Sequence, residues 1–291
     1  MPTPDLLVHI LAFVAALLLS LVSSTAGITG AFLLVPFQVS VLGLGTPSVS
    51  ATNHLYNVFA APGGFSGYHG QKRILWPLAA VLATGTIPGI LAGVYLRVRY
   101  LPDPRLFRPF VGAVLVLLGL VVVGRAWARR KETGGGEGGS GGLRVIALSW
   151  RRLRYRFGEG THSLGLPGVW LFSLVIGVVG GAYGVGGGSF TSAYLIGACG
   201  LPVDTTAGAT LLAAFAASCA GAAGFVLAAW TGGAAAPPIA PDWSLALAMG
   251  LGGLLGGRAG ARVQRYLPAR LIAAALALLM LILGVNYIVR P

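Results

Sequence analysis

Long apolar runs separated by short polar breaks dominate the chain. In the first half they cover 6–22, 27–44, 49–67, 74–96 and 107–124. In the second they cover 169–182, 185–198, 205–230, 243–263 and 271–289. About 20 helical residues cross the hydrocarbon core of a bilayer, so the longer runs predict membrane-spanning helices and the shorter ones half-helices or re-entrant segments. No basic region precedes the first run and the hydrophobicity continues past it, so it does not read as a cleaved signal peptide. The pattern predicts an all-α polytopic membrane protein.

Composition agrees with the pattern. Of 291 residues, 56% are hydrophobic and 9% charged, and the mean hydropathy is +0.83. A soluble domain carries about a quarter charged residues. The net charge of +13 would suit a nucleic-acid partner, but nine of the twenty basic residues lie within 125–156 and most others at the ends of apolar runs. That is the distribution of a positive-inside membrane protein, so no nucleic-acid role is expected. Cys199 and Cys219 fall in apolar segments without metal-ligand spacing and read as small buried residues.

The segment KETGGGEGGSGG at 131–142 has no packing surface and reads as a flexible linker. The expected organisation is a first transmembrane repeat at 1–125, a basic, Gly-rich cytoplasmic linker at 126–163, and a second transmembrane repeat at 164–291. Gly27 and Gly64 meet Gly184 and Gly221 at an offset of 157; Trp76, Gly85, Gly89 and Gly93 meet Trp243, Gly252, Gly256 and Gly260 at 167; Gly119 and Arg125 meet Gly284 and Arg290 at 165. Such an ordered series indicates an internal duplication, the usual architecture of a secondary transporter. Each half has about five apolar segments, the first two joined by almost no polar residues. Inverted repeats place 15 basic residues on the linker side and 5 opposite, whereas parallel repeats give 12 and 8. The inverted arrangement, with the linker cytoplasmic and both termini outside, fits the charge rule better.

The stretch AYGVGGGSF at 182–190 concentrates the chemical question. It lacks the lysine of a phosphate-binding loop, and no strand–helix–strand pattern surrounds it, although Asp204 lies at the spacing of a dinucleotide fingerprint. No nucleotide or other cofactor is expected. Gly85, Gly89 and Gly93 and their counterparts, four apart, read as close-packing positions on helix faces. Gly184, Gly186, Gly187 and Gly188 cost a helix about 1 kcal/mol each relative to alanine and predict a helix break at membrane depth. A break from each repeat, around Gly27, Thr29 and Gly30 and around 184–188, would turn main-chain N–H groups toward a common anion site near the midplane. None of the seven acidic residues lies inside a long apolar run, whereas cation carriers and proton relays keep carboxylates there. An anionic cargo fits.

The polar cluster SATNHLYNVF at 50–59 offers neutral donors. Asn53 and Asn57 share a helix face with Tyr56 nearby, and His54 is offset by about 100°. These side chains read either as interhelical hydrogen-bonding groups or as ligands of an oxyanion, with His54 also available to carry a coupling proton. Thr210 occupies the position of Asn53 in the second half, which makes the site asymmetric.

The chain resembles the TauE/SafE sulfite exporter family, also called the toluene sulfonate uptake permeases. The resemblance rests on Gly184-Val185-Gly186-Gly187-Gly188 and Arg265-Tyr266-Leu267-Pro268-Ala269-Arg270 in the second half. In the first half it rests on Gly27-Ile28-Thr29-Gly30-Ala31 and Leu33-Leu34-Val35-Pro36. It extends over nearly everything except the linker region. Thr29 and Ala31 stand where the family has glycines, Ala193 stands where Pro36 does in the first half, and the basic linker is longer than usual. The resemblance implies secondary transport of small, often sulfur-containing anions such as sulfite, sulfoacetate or organosulfonates, coupled to a proton or cation gradient. It also implies residence as a multi-pass protein of the cell (inner) membrane. A passive anion channel is the alternative. An intramembrane enzyme is the weaker one: GFSG at 64–67 with Ser66 suggests a nucleophile, but such a serine takes its histidine from another helix, whereas His69 lies three residues on and His54 precedes it in the same segment. Nothing in the sequence sets an oligomeric state.

Overall fold

The computed structural model describes residues 4–25, 29–61, 74–128, 144–157, 160–201, 203–232, 238–263 and 269–290. Gly27, the GFSG segment with His69, the Gly-rich 131–142 segment and Arg265 to Pro268 lie outside these residues. The described first half contains helices α1 (Pro4–Thr25), α2 (Ala31–Ser40), α3 (Ser48–Ala60), α4 (Trp76–Arg99) and α5 (Pro104–Ala128). The second contains α6 (Leu166–Tyr183), α7 (Gly188–Gly197), α8 (Val203–Thr231), α9 (Trp243–Val263) and α10 (Ala269–Val289). Six of them, α1, α4, α5, α6, α8 and α10, are long and apolar enough to cross a membrane. The chain is a mostly helical, polytopic membrane protein. Its outward surfaces are hydrocarbon: Leu6, Leu7 and Leu18 on α1, Leu117 and Leu120 on α5, and Leu278 and Ile282 on α10 are all exposed, as suits helices that face lipid.

Expectation and structure part at residues 144–165, for the fold is not wholly helical. Strands β1 (Arg144–Leu148), β2 (Arg152–Phe157) and β3 (Gly160–Gly165) form an antiparallel sheet in that order. The reason is the alternation in RLRYRF. Leu153 and Tyr155 point inward and are fully buried, while Arg152, Arg154 and Arg156 point outward, the period-2 pattern of a strand with one face covered. The covered face packs on Leu75, Leu78 and Leu82 at the start of α4 and on Leu195 and Ala209. Tyr155 and Thr205 join their hydroxyls at 3.0 Å. The sheet therefore closes the end of the bundle from which α6 departs.

Glycines set how the helices meet. A Cβ at Gly85, Gly89 or Gly93 of α4 would strike the carbonyl of Trp170, Leu174 or Val178, respectively, on α6. One at Gly252, Gly256 or Gly260 of α9 would strike the carbonyl of Phe13, Leu17 or Leu21 on α1. Contacts ascend in step along both pairs, so α4 runs parallel to α6 and α9 parallel to α1. Gly112 of α5 instead meets Gly284 of α10, and Gly119 meets Leu281 and Ala277, so this pair runs antiparallel. Small residues allow such backbone approach where lipid supplies no hydrophobic drive between helices.

A paired substitution tests the packing. Gly256→Ala places a methyl into the Leu17 carbonyl, whereas its neighbour Gly257 has open space where a Cβ would stand. Gly256→Ala is expected to destabilise by about 1–3 kcal/mol through overpacking, and Gly257→Ala to be neutral or to stabilise by up to about 1 kcal/mol through helix propensity. Melting of the purified protein, followed by size-exclusion chromatography, reads both. Equal behaviour of the two variants would reject this account of the α1–α9 contact.

Candidate functional site

Helix α6 ends where Gly184 adopts a left-handed backbone, φ 104°, and α7 begins after Gly187, φ 71°. At the first turn-out, the N–H groups of Gly184 and Val185 both donate to the Gly180 carbonyl, at 2.7 and 2.8 Å, so a glycine in left-handed conformation terminates the helix. The 184–187 link is buried throughout. Its glycines serve close approach as well as conformation. A Cβ on Gly184 would lie 2.7 Å from the Ser50 carbonyl, one on Gly186 would strike the Ala214 carbonyl, and one on Gly188 would lie 2.9 Å from the Ala214 Cβ. The link is thus clasped between α3 and α8.

The polar face of α3 closes this clasp. Asn53 is fully buried, and its Nδ2 donates to the carbonyls of Ala31 on α2 and Gly184, each at 3.0 Å. Asn57 donates to the same Gly184 carbonyl at 3.3 Å and to the Asn53 carbonyl at 3.0 Å. The Tyr183 hydroxyl donates to the Phe32 carbonyl at 2.6 Å, and Phe32 meets Phe190 edge-on with centroids 5.5 Å apart. Phe32 is the second residue of α2 and Phe190 the third of α7, so the first turns of two short helices, one from each half, adjoin inside the protein. Gly30 stands at the cap position of α2, and the Thr29 hydroxyl accepts the Ala31 N–H at 3.3 Å.

The sequence-predicted residues therefore divide. Asn53, Asn57 and Gly184 gather at one junction, with Gly186, Gly187 and Gly188 continuing from it, whereas Gly30, at the cap of α2, faces Ser20 of α1, whose Oγ lies 2.7 Å from the Gly30 Cβ position. Thr210 adjoins Gly188 through its carbonyl, 3.3 Å from the Cβ position, while its hydroxyl turns back to the carbonyls of Thr206 and Ala207 at 3.0 and 3.1 Å. It does not repeat the role of Asn53. His54, one residue along α3, faces away into the notch above Gly221 of α8, beside Phe225. It is buried, and neither ring nitrogen has a hydrogen-bond partner of normal geometry. Tyr56 bonds Ser20 of α1 at 2.7 Å.

Two residues at the junction are not among the candidate ligands named from the sequence. Ser50 donates to the Ala182 carbonyl at 2.8 Å, and Arg97, a basic residue at the end of an apolar run, is fully buried against Ser50. The serine was visible one helical turn before Asn53. The burial of Arg97 had no sequence signal, because an arginine at the end of an apolar run ordinarily extends to the interface.

As it stands, the junction is closed. The donors that would hold an anion, Asn53 and Asn57, are engaged by main-chain carbonyls, and the Asn53 Oδ1 is buried without a partner among the described residues. A groove of about 580 Å³ runs along α10 by Leu281, Ile282 and Val285, and a cleft of about 410 Å³ lies on the sheet by Ala147, Arg151 and Arg154; neither includes a residue of the junction. Among the described residues no group of His, Cys, Asp and Glu side chains could hold a metal ion, and both cysteines are free.

A family model described as sulfite exporter TauE/SafE matches residues 12–287, nearly the whole chain. No curated protein and no solved structure matches the chain.

Proposed function

Because the chain belongs to the sulfite exporter TauE/SafE family, a family of membrane exporter-type transporters, we propose that it is a secondary transporter of a small, sulfur-containing oxyanion. Transport proceeds by alternating access at the junction of the two halves. The observation that carries this reading is the meeting of α2 and α7, whose first turns adjoin at Phe32 and Phe190 beside the amides of Asn53 and Asn57. Helix N-termini bring partial positive charge and main-chain donors to one place, which suits a negative solute. The donors now held by the Gly184 and Ala31 carbonyls pass to the anion as the clasp opens.

The helix pairing supports an inverted duplication. If α1 to α5 correspond in order to α6 to α10, then α4 on α6 and α9 on α1 are one contact made twice, with the halves exchanged. The α5–α10 pair then joins equivalent helices, and equivalent helices run antiparallel when the repeat is inverted and parallel when it is not. In this arrangement Asp5, Asp103 and Asp242 share the face opposite the sheet. The arginine-bearing sheet and the 131–142 segment take the cytoplasmic side of the cell membrane, as the charge rule favours. Coupling to a proton or cation gradient completes the cycle.

Reconstitution tests the proposal. Liposomes containing the full-length protein are expected to accumulate sulfite, thiosulfate or sulfoacetate against its gradient when a pH or sodium gradient is imposed. Flux that only equilibrates the anion would establish a channel in place of a carrier. Absence of protein-dependent flux for the whole panel would reject anion transport.

A further inference from the structure

Arg97 is the one fully buried arginine among the described residues whose side-chain burial is known, and its surroundings are unusual for a cation. Its Nε donates to the Ser50 Oγ at 3.3 Å and its Nη2 to the Gly45 carbonyl at 3.0 Å. The Phe107 ring covers the guanidinium, with Cζ 3.6 Å from the centroid. Nη1 is buried and has no hydrogen-bond partner among the described residues. Among the described residues its partners are thus a hydroxyl, a carbonyl and an aromatic face, none with a negative charge. Of the acids, Asp103 receives the Arg105 N–H, and Asp242 receives Ser244 and Leu245.

A cation removed from water without a counter-charge is costly, and a fixed charge inside a membrane protein is retained where it meets an ion or a substrate. Position supplies the second argument. Ser50 is the residue whose carbonyl and Cα press on Gly184, at 2.7 and 2.9 Å from its Cβ position, and whose hydroxyl bonds the last turn of α6. Arg97 is therefore one side chain from the clasp. The chemistry of guanidinium fits as well: its planar fork matches two oxygens of an oxyanion at once.

We propose that Arg97 is a substrate-binding residue, the fixed charge that meets the transported oxyanion at the end of the junction away from the sheet. This rests on the anion-transport reading above and deepens it. Phe107 and Gly45 hold the guanidinium while the site is closed. Nη1, already without a partner, is the first donor offered when α3 and the 41–47 connection move.

Full-length wild type, Arg97→Met and Arg97→Lys are compared in liposome flux and in thermal-shift titrations with sulfite, thiosulfate and sulfoacetate. Arg97→Met is expected to lose the anion-induced shift and to raise KM by at least about tenfold, the loss of one charge-assisted contact. Its ligand-free Tm is expected to be no lower than that of wild type, because an unpaired buried charge has been replaced by an apolar chain. Arg97→Lys, a point charge without the fork, is expected to fall between the two. An unchanged KM and shift in Arg97→Met would overturn the assignment. So would failure of Arg97→Met to fold, or a lowered ligand-free Tm, since either makes Arg97 a structural post. Absence of response to every anion in wild type would overturn the transport reading itself, which separates the two failures.

Discussion

Asn53→Ala is expected to stop transport, lowering flux by at least about 100-fold, and to destabilise the protein by about 2 kcal/mol. One amide nitrogen serves two main-chain carbonyls, those of Ala31 and Gly184, from opposite halves of the chain. Removing it leaves the Ala31 carbonyl without its interhelical donor and leaves Gly184 with only the longer bond from Asn57. An unsatisfied buried acceptor costs about 1–3 kcal/mol. The measured mean of about 0.6 kcal/mol for interhelical hydrogen bonds in membranes pulls the total down, because an unfolded membrane segment finds other partners. Asn57→Ala is a graded control. Asn57 is half-buried and holds the longer bond to Gly184, so its loss is expected to cost about 0.5–1 kcal/mol and to weaken flux without ending it. Flux in liposomes and Tm of the purified protein check both variants. Normal flux in Asn53→Ala would remove Asn53 from the transport path.

That prediction depends on a contact no sequence displays. The spacing of Asn53 and Asn57 placed both amides on one face of α3, but Gly184 is 131 residues away from Asn53, and nothing local says which carbonyl they meet. The same holds for Gly85, Gly89 and Gly93. Their four-residue spacing shows a face made for close approach, while the identity of the approaching helix, α6 from the other half, comes only from the fold. His54 shows a further limit: periodicity turned it away from Asn53, yet the notch at Gly221 that receives it is a property of α8. The sheet was legible in the alternation of its residues. The arginines of RLRYRF carry a charge signal and a period-2 signal together, and the second is that of a strand with one covered face. Arg97 is the opposite case, since a helix-terminal arginine gives the same local pattern whether it reaches water or is folded under Phe107. Local chemistry fixes faces and breaks, whereas the pairing of faces is decided by backbone shape across the bundle.

Gly184→Ala is expected to be the most damaging single-atom change in the clasp, for two reasons that add. A residue with a Cβ pays about 1–2 kcal/mol in the left-handed region, and Gly184 has φ 104°. The added methyl would also stand 2.7 Å from the Ser50 carbonyl, 2.9 Å from the Ser50 Cα and 3.1 Å from the Asn53 Cβ. Two of these are backbone atoms of α3, which cannot swing aside as a flexible side chain would, and overpacking of this kind costs about 1–3 kcal/mol. Together they amount to about 2–5 kcal/mol, enough to push α3 off the break and pull both asparagine amides out of reach of the Gly184 carbonyl. Gly43 isolates the conformational part. It too has a left-handed backbone, φ 68°, but nothing lies within 4 Å of its Cβ position, so Gly43→Ala is expected to cost only about 1–2 kcal/mol and to retain flux. The difference between the two variants in Tm and in sulfite flux therefore measures the contact between α3 and the break rather than the strain of a turn. If Gly184→Ala melts and transports as Gly43→Ala does, α3 does not close on Gly184, and the junction described above is not where the anion is held.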